Sequence, residues 1–354
     1  MKMVSYPRVS IIFLFIGLVY GLTIQNNGGS IVIEEAWSIP ELLGNATAAQ
    51  NGTPSQLNAN LLDIHNQRLA GMNANNVDYM VLSCAQPCIQ GIADPDEAQQ
   101  MAVNVNNILA ASISNNTARF GGFASLAMHN ATVAAMELER TITELGFLGA
   151  MLNDYQQSGS DGRTLLYYDQ PAYDVFWQKV SDLNVPVYFH PRNNIDTIVN
   201  LMFAHAKFLE GPAQEFAVGL SNHILGLCVN GVFDRFPNLK IIVGHLGERI
   251  PSDLDRIDTQ LLRQIPLGMP MKKNVTDYWH TNLFETTSGN FATELLKFHI
   301  NQIGLDRILF SIDYPFVNIP DGTSWLEGLR STMSPKHFHS LQRGLAEKIL
   351  GLAD

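Results

Sequence analysis

Short apolar runs alternate with longer helix-like stretches along most of the chain. The runs are rich in Val, Ile, Leu and Phe without strict apolar–polar alternation, which is typical of parallel strands buried on both faces. They are Ser30–Glu34, Val77–Ser83, Phe120–Leu126, Phe147–Asn153, Val185–His190, Leu239–His245, His280–Thr286 and Arg307–Asp313. We therefore predict eight parallel β-strands.

The segments between these runs have the character of helices. Asp94 before Pro95, and Ser334 before Pro335, are typical of helix starts. The predicted helices include Asn60–Asn75, Asp96–Ser114, Thr132–Leu145, Ala172–Leu183, Asn222–Phe236 and Pro335–Leu352, whereas Trp37–Pro54 and Leu267–Thr276 have irregular patterns. Strands alternating with helices predict an α/β fold, a (β/α)8 TIM barrel over residues 24–354. A doubly wound open sheet is the alternative, but no glycine-rich phosphate turn follows the first strand.

An apolar segment with a basic start precedes the first predicted strand. Lys2 and Arg8 come before the run Val9–Leu22, and the small residue Gly21 lies near its end. Such a run of about 14 residues is typical of a secretory signal peptide, whereas a membrane span needs about 20 residues. We predict a signal peptide over residues 1–23 and a secreted protein with no stable membrane insertion after cleavage. An uncleaved anchor or a misassigned start, with a cytoplasmic location, is the alternative.

Sequons and cysteines bear on the same question. Asn-x-Thr sequons, which accept glycans in secreted proteins, occur at Asn45, Asn51, Asn115, Asn130 and Asn274. The cysteines, at positions 84, 88 and 228, are too few for a disulfide framework. Cys84 and Cys88 would close a short loop in an oxidising compartment, and two buried thiols are the alternative.

Composition excludes several classes of function. Of the 354 residues, 46% are hydrophobic and 16% are charged, which suits a large buried core and excludes a disordered chain. The formal net charge is −11 and the isoelectric point is near 5.3, so nucleic acids and anionic membranes would repel the protein. An anionic substrate would need a local positive charge, such as a metal ion or a placed arginine.

Polar residues that can bind a metal ion or move protons follow four of the predicted strands. These strand ends read Glu34-Glu35-Ala36, His190-Pro191-Arg192, His245-Leu246-Gly247-Glu248 and Asp313-Tyr314-Pro315-Phe316. Catalytic groups of a TIM barrel lie on the loops at this end of the strands. Each residue alone has a structural explanation, such as a solvated loop carboxylate or a hydrogen-bonded scaffold histidine. Their coincidence at one barrel mouth predicts a site for a divalent ion such as Zn²⁺, Mn²⁺ or Mg²⁺.

Longer segments carry a family resemblance. They are IVIEEAW, FGGFASLAMHN, GFLGAMLND, VPVYFHPRN, NGVFDRFPNLKIIVGHLGE, TTSGNF and DRILFSIDYPF. These segments resemble the amidohydrolase-related decarboxylases, the relatives of aminocarboxymuconate semialdehyde decarboxylase. Within that group the chain is most similar to 2,3-dihydroxybenzoate and γ-resorcylate (2,6-dihydroxybenzoate) decarboxylases. The resemblance covers about residues 30–352, and the N-terminal extension departs from it.

The resemblance implies a metal site. Matched position by position, the metal ligands are Glu34, His190 and Asp313. Many members place another ligand histidine two residues after the first ligand, where this chain has Ala36. The implied site therefore has three protein ligands, with open positions for water and substrate.

The resemblance also implies catalytic and substrate-binding residues. His245 is implied as the acid–base partner of Asp313, with Glu248 orienting it. Implied substrate-binding residues are Arg256, Phe316 and His223. A structural role is the alternative for His223, because it lies early on a predicted helix.

The activity that the resemblance implies is decarboxylation without oxidation of a hydroxybenzoic acid resembling 2,3- or 2,6-dihydroxybenzoate. The expected products are the corresponding phenol and CO₂, and the expected requirements are one divalent metal ion and no organic cofactor. A homo-oligomer, dimer or tetramer, is implied as well. An isolated aspartic acid has a pKa of about 3.9, so Asp313 needs a raised pKa or a proton relayed from His245. Metal-dependent hydrolysis of an ester, lactone or amide on the same barrel is the alternative, and a barrel that only binds aromatic compounds is a second one.

Overall fold

A computed structural model of the chain describes residues 24–43 and 53–352. The predicted signal peptide, residues 1–23, and the sequons at Asn45 and Asn51 lie outside the described residues. Among the helices of these two ranges, none combines the length and apolarity needed to traverse a bilayer.

Eight parallel strands form a barrel, and each lies where a hydrophobic run predicted it. The described residues form eleven strands, of which β6 and β7 lie outside the barrel: β1 Ser30–Trp37, β2 Val77–Cys84, β3 Phe120–Gly122, β4 Ala124–Ser125, β5 Ala150–Asn153, β6 Gln156–Ser158, β7 Thr164–Leu166, β8 Pro186–His190, β9 Lys240–Val243, β10 Leu283–Thr286 and β11 Ile308–Leu309. Only Phe123 separates β3 from β4, which together form the third barrel strand. Parallel pairing runs from β1 to β3 and, in the order β4, β5, β8, β9, β10, β11, around the rest of the barrel. The predicted TIM barrel is confirmed.

The barrel closes between its last and first strands. The backbone amide of Ala36 donates to the carbonyl of Tyr314 at 2.7 Å. The antiparallel hairpin of β6 and β7 lies outside the barrel and was not predicted, because its short strands have no apolar run. It projects beyond the C-terminal end of β5, on the side of the barrel where the predicted site residues lie.

Helices surround the barrel. They are α1 Pro54–Leu62, α2 Gln67–Ala74, α3 Pro95–Ile113, α4 Ala131–Thr143, α5 Asp174–Leu183, α6 Asp196–Met202, α7 Glu215–Val229, α8 Val232–Arg235, α9 Gly244–Gly247, α10 Leu254–Leu261, α11 Val275–Thr281, α12 Thr293–Ile303, α13 Ile319–Leu329, α14 Pro335–His339 and α15 Leu345–Leu350. The predicted caps are present: the Asp94 side chain accepts from the first amides of α3, and the Ser334 hydroxyl accepts from the amide of His337 in α14.

Two helix predictions were wrong in their bounds. The segment Asn60–Asn75 is two helices, because the Asp63 carboxylate accepts from the amides of Asn66 at 3.0 Å and Arg68 at 2.8 Å and so starts a new helix. The segment Asn222–Phe236 begins earlier, at the start of α7, and is interrupted before α8 by Gly231 at a φ of +69°.

The core has two layers. The inner layer fills the barrel with apolar side chains, and the C-terminal residues Leu345–Leu352 pack against it. The outer layer packs the other faces of the strands against the helices. The inner side chains from the strands are Ile31, Ile33, Tyr79, Val81, Phe123, Met151, Tyr188, Ile242, Phe284 and Leu309.

A buried ion pair joins the start of β1 to the C-terminal helices. Asp78 Oδ2 accepts from Arg343 Nη1 and from the amides of Asn27 and Gly29, each at 2.8 Å. Asp78 and Arg343 are only 1% and 2% exposed. Removing Asp78 would leave the buried Arg343 guanidinium with only the Glu347 carboxylate, 2.8 Å from its Nε, and would leave the amides of Asn27 and Gly29 without their acceptor.

We expect Asp78→Ala to lower the free energy of unfolding by about 3–5 kcal/mol, the usual cost of breaking a buried pair. Urea-induced unfolding followed by circular dichroism measures this. The matched control is Asp306→Ala, since Asp306 is 75% exposed at 3.5 Å from Arg307 and such pairs contribute at most about 1 kcal/mol. Equal losses in the two variants would contradict the expectation.

Candidate active site

A bulge in β1 decides which of two adjacent glutamates faces the barrel mouth. The pairing of β1 on β2 shifts register between Val32 and Glu35. Strict alternation would place Ile33 and Glu35 on one face, yet Ile33 packs inside the barrel and Glu34 lines the cavity at its mouth. A bulge re-aims side chains in this way. Both glutamates are buried, at 2% and 0% exposure, so neither is a solvated loop charge.

Four predicted residues converge here: Glu34, His190 and Asp313 line this cavity, and His245 lies beside them. His190 Nε2 lies 3.9 Å from Glu34 Oε1 and 4.0 Å from Asp313 Oδ1. His245 Nε2 lies 3.4 Å from Glu34 Oε1 and 3.6 Å from Asp313 Oδ2. Ligand atoms of Glu34, His190 and His245 all lie within 4.8 Å of one another. Atoms that share an ion at about 2.0–2.2 Å lie within about 4.4 Å of one another, so a small contraction brings this group to coordination distance.

The hydrogen bonding of these side chains fits a metal ion. Glu34 Oε2 accepts from the hydroxyls of Thr286 and Ser288, but the buried Oε1 has no hydrogen-bond partner among the described residues. A buried carboxylate oxygen without a partner is costly, and a bound cation removes that cost. His190 Nδ1 donates to the carbonyl of Pro191 at 2.6 Å, which leaves the Nε2 lone pair facing the cavity.

The Ser311 hydroxyl connects the first strand to the last. Its oxygen accepts from the amides of Ile33 at 2.9 Å and Glu34 at 2.8 Å, and it donates to Glu35 Oε1 at 2.9 Å. One side chain therefore fixes the backbone that carries Glu34 relative to the strand that carries Asp313.

The Glu35 carboxylate completes this connection around Asp313. Its oxygens accept from the amide of Ile312 at 3.0 Å and the amide of Tyr314 at 2.8 Å, on either side of Asp313. Asp313 has a φ of +81°, in a region that residues with a Cβ rarely occupy. Such a conformation persists only where surrounding contacts impose it, and these two hydrogen bonds impose it here.

His245 lies in a left-handed turn after β9. The φ values are +54° at His245, +54° at Leu246 and +47° at Glu248. The turn brings His245 Nδ1 to 2.6 Å from Glu248 Oε1, so Nδ1 carries a proton and Nε2 faces Glu34 and Asp313. Close packing also restricts Gly289, where a Cβ would lie 3.0 Å from His245 Cδ2.

Burial and charge separate the protonation behaviour of the cluster. Burial lowers the pKa of His190 to about 4, although the Glu34 carboxylate opposes this, so His190 is neutral at neutral pH. Burial also acts to lower the pKa of His245, but Glu34 and Glu248 outweigh it and hold that pKa well above its usual value. Burial raises the pKa of Asp313 to about 6, against the hydrogen bond from His245. A charged imidazole beside a carboxyl group that titrates near neutral pH is suited to proton transfer.

Other side chains line the cavity, which has an empty volume of about 230 Å³ including its opening to solvent. Phe316 is there, as predicted from the sequence, and so is Ala36 at the position of the replaced ligand. The residues that sequence reasoning missed are Ser83, Cys84, Ala85, Gln86, Met151 and Tyr188. Thr286 and Ser288 were also missed, although three hydroxyl residues in a row at the end of β10 were a visible signal.

Two predicted substrate-binding residues, Arg256 and His223, do not line the cavity of their own chain. Arg256 is exposed on α10 and does not line it. His223 is 1% exposed, and its Nε2 accepts from the amide of Tyr168 at 3.1 Å. Its ring packs edge-on against Tyr167, Tyr168 and Phe189. These contacts support the structural alternative for His223, because they join α7 to the segment that contains Tyr168 and to Phe189 of β8.

The cysteine alternatives are also decided. Cys84 and Cys88 form a disulfide, with their Cα atoms 5.8 Å apart, and Cys228 is a buried free thiol.

A closed parallel barrel with carboxylates and imidazoles converging at its mouth is the architecture of a metal-dependent TIM-barrel enzyme. The sequence profile of a family described as amidohydrolase matches residues 58–352. The chain belongs to this amidohydrolase family.

Characterised relatives agree with the resemblance seen in the sequence. The γ-resorcylate decarboxylase of Rhodococcus jostii (strain RHA1) is 40% identical over 303 residues, covering 84% of this chain and 92% of the relative. The crystal structure of 2,6-dihydroxybenzoate decarboxylase from Rhizobium superposes with a TM-score of 0.86 at 37% identity, over 92% of this chain and 99% of that one. A dihydroxybenzoic acid decarboxylase from Polaromonas sp. JS666, with bound manganese and the inhibitor 2-nitroresorcinol, gives a TM-score of 0.86 at 36% identity over 92% and 97%.

We expect the protein to bind one Mn²⁺ per chain, and His190→Ala to weaken that binding. The loss should exceed the roughly 10–100-fold that follows from removing a residue which only orients a ligand. Titration followed by electron paramagnetic resonance, with elemental analysis of the dialysed protein, measures it. His280→Ala removes an exposed histidine and is the control. Unchanged affinity and stoichiometry in His190→Ala would show that His190 is not a ligand.

Proposed function

We propose that this protein catalyses the metal-dependent, non-oxidative decarboxylation of a hydroxybenzoic acid resembling 2,3- or 2,6-dihydroxybenzoate. The products are the corresponding phenol and CO₂. The observation that carries the proposal is the cluster of Glu34, His190, His245 and Asp313, in which His245 Nε2 lies 3.4 Å from Glu34 Oε1 and 3.6 Å from Asp313 Oδ2. The names of the similar proteins support the substrate class.

Glu34, His190 and Asp313 are the proposed metal ligands. A divalent ion bound there supplies a Lewis acid for the carboxylate and the ortho oxygen of the substrate. His245 Nε2 faces the same centre, and its distances to Glu34 and Asp313 also suit a ligand. We assign His245 to proton transfer instead, because its Nδ1 is hydrogen-bonded to Glu248 and its Nε2 faces Asp313 Oδ2 at 3.6 Å.

The chemical problem is to place a proton on the ring carbon that bears the carboxylate. Protonation interrupts the aromatic ring, and the electron pair released when the bond to CO₂ breaks restores it. Asp313 is the proposed acid, because burial raises its pKa to about 6 and so makes its protonated form more accessible near neutral pH than that of an ordinary aspartic acid. His245 then returns a proton to Asp313, while Glu248 keeps the imidazole oriented. Phe316 lines the same cavity and is a proposed contact for the aromatic ring.

We expect metal-replete protein to release CO₂ and the matching phenol from at least one member of a panel of hydroxybenzoates. In heavy water the vacated ring carbon should carry deuterium. His245→Asn should lower the rate roughly 10²–10⁴-fold, the usual contribution of general acid–base catalysis. Its metal content should stay close to that of the wild type.

Because His245 and Asp313 act as a unit, adding Asp313→Asn to that variant should cost little further rate at saturating metal, although it should also weaken metal binding, since Asp313 is a proposed ligand. His280→Asn, at an exposed position, serves as the control. Near-native turnover by His245→Asn would contradict the acid–base pair. Hydrolysis of lactones or esters, with no CO₂ from any aromatic acid, would instead favour the hydrolase alternative.

We propose further that the protein is a homo-oligomer, a dimer or a tetramer. Large apolar side chains are exposed on two segments, residues 201–209 and 262–267. Such surfaces commonly mark contacts between proteins. The most exposed are Leu201 at 80%, Phe208 at 86% and Leu267 at 80%. Arg256 is exposed on α10, shortly before the second segment, and does not line the cavity of its own chain. Its proposed contact with substrate therefore requires that assembly bring it to the cavity of another subunit. A monomeric mass by light scattering would contradict this proposal.

Secretion remains our proposal for the location of the protein. The Cys84–Cys88 disulfide supports it, because disulfides persist mainly in oxidising compartments. The described sequons also support it, since Asn115, Asn130 and Asn274 are all exposed. We expect mass spectrometry of the native protein to show loss of about the first 23 residues, as for a signal peptide, and a glycan on at least one sequon. An intact Met1 together with unmodified sequons would contradict secretion.

A further inference from the structure

We propose that the disulfide between Cys84 and Cys88 determines substrate specificity, because it holds Ala85 and Gln86 as a wall of the substrate cavity. This inference rests on the proposed function and deepens it. Cys84 is the last residue of β2, and Cys84, Ala85 and Gln86 line the same cavity as Glu34 and His190. Both cysteines are buried, at 2% and 5% exposure.

Ordinary hydrogen bonds hold the two ends of this loop. At the start, the amide of Ala85 donates to the carbonyl of Trp37 at 2.7 Å. Past the disulfide, Gln90 Nε2 donates to the carbonyl of Leu126 at 2.7 Å, and the Gln90 carbonyl accepts from Arg192 Nη1 at 2.7 Å. The crosslink therefore acts on the short segment between two fixed points.

The disulfide holds that segment in a conformation that its sequence disfavours. Cys88 has a φ of +40°, in the left-handed region that is unfavourable for a residue with a Cβ. If the sulfur–sulfur bond is reduced, Cys88 is free to relax from this conformation. The position of Gln86, which lies between Ala85 and Cys88, then changes with it.

Gln86 links the disulfide loop to the loop on the other side of the cavity mouth. Its Oε1 accepts from the amide of Asn193 at 3.0 Å, and Asn193 belongs to the loop that follows His190. Within the described residues, no lysine or arginine lines the cavity. The amide nitrogen of Gln86 is thus a neutral donor placed to bind an oxygen substituent of the ring. The position of this nitrogen therefore affects which hydroxylation pattern of the substrate ring binds.

This arrangement predicts a particular kinetic signature. The disulfide shapes the place where the ring lies, but among the described residues no hydrogen bond joins either cysteine side chain to Asp313 or His245. Reduction should therefore weaken substrate binding and change the preference between 2,6- and 2,3-dihydroxybenzoate. It should leave kcat and metal content nearly unchanged. A general loss of structure would instead lower kcat and metal content together.

The test uses the full-length Mn²⁺ protein before and after reduction by a phosphine, with free thiols counted. On reduction, KM for 2,6-dihydroxybenzoate should rise about fivefold, which corresponds to roughly 1 kcal/mol, with kcat unchanged within a factor of about two. Cys88→Ser should show the raised KM and no response to the phosphine. The matched control, Cys228→Ala, removes the buried thiol outside the loop and should respond like the wild type.

Amide hydrogen exchange provides a readout that does not depend on turnover. Reduction should speed exchange in the peptide that contains Asn193, whose amide donates to Gln86. Unchanged KM, or unchanged exchange there, in protein whose disulfide is shown to be reduced would overturn the proposal. If the oxidised enzyme releases no CO₂ from any hydroxybenzoate, the proposed function fails. Binding of 2,6-dihydroxybenzoate is then measured by equilibrium dialysis in place of KM. Equal affinity in the two redox states, or no detectable binding in either, overturns the inference as well.

Discussion

The hydrogen bonds that Glu35 and Ser311 make across the seam between the first and last barrel strands are the interaction on which the site depends. Glu35 is completely buried, and burial raises its pKa to about 8, yet its oxygens accept from one hydroxyl and two amides. A buried carboxyl group with this many donors is a well-satisfied polar group and not a defect. The same bonds fix the backbone of Glu34 relative to that of Asp313. The two proposed ligands, far apart in the chain, therefore face one centre because this seam holds its register.

Several features of the rest of the site are energetically unfavourable, and the barrel holds them in place. Glu34, Glu248 and Asp313 are three buried acidic side chains around the His245 ring, and His245, Glu248 and Asp313 all have left-handed backbone conformations. Each such conformation costs of order 1–3 kcal/mol and persists where surrounding structure imposes it. The parallel strands and the packed layers on either side provide that rigidity, and they hold catalytic groups more precisely than loops alone would. The cluster is ready for a cation before one binds, because Glu34 Oε1 is buried and without a partner among the described residues.

The electrostatics of the whole protein and of the site have opposite signs. The chain carries a formal charge of −11, which repels an aromatic carboxylate at long range. Within the described residues, the cavity lining contains no lysine or arginine. We propose that the positive charge which an anionic substrate needs comes from the bound ion and from the His245 imidazole, whose pKa Glu34 and Glu248 raise. Substrate recognition and proton delivery thus depend on the same small group of side chains.

Local sequence patterns determined the eight strands, because a strand buried on both faces must be apolar along its length. They also placed Glu34, His190, His245 and Asp313 at strand ends, and in a parallel barrel all such ends meet at one mouth. Register and long-range hydrogen bonding have no local periodicity, so the tertiary structure alone decided the rest. The bulge in β1 aimed Glu34 into the cavity and left Glu35 to hold Asp313. The contact with Tyr168 kept His223 away from the cavity, Asp63 divided a continuous helical pattern, and the approach of Cys84 and Cys88 joined two thiols that spacing left open.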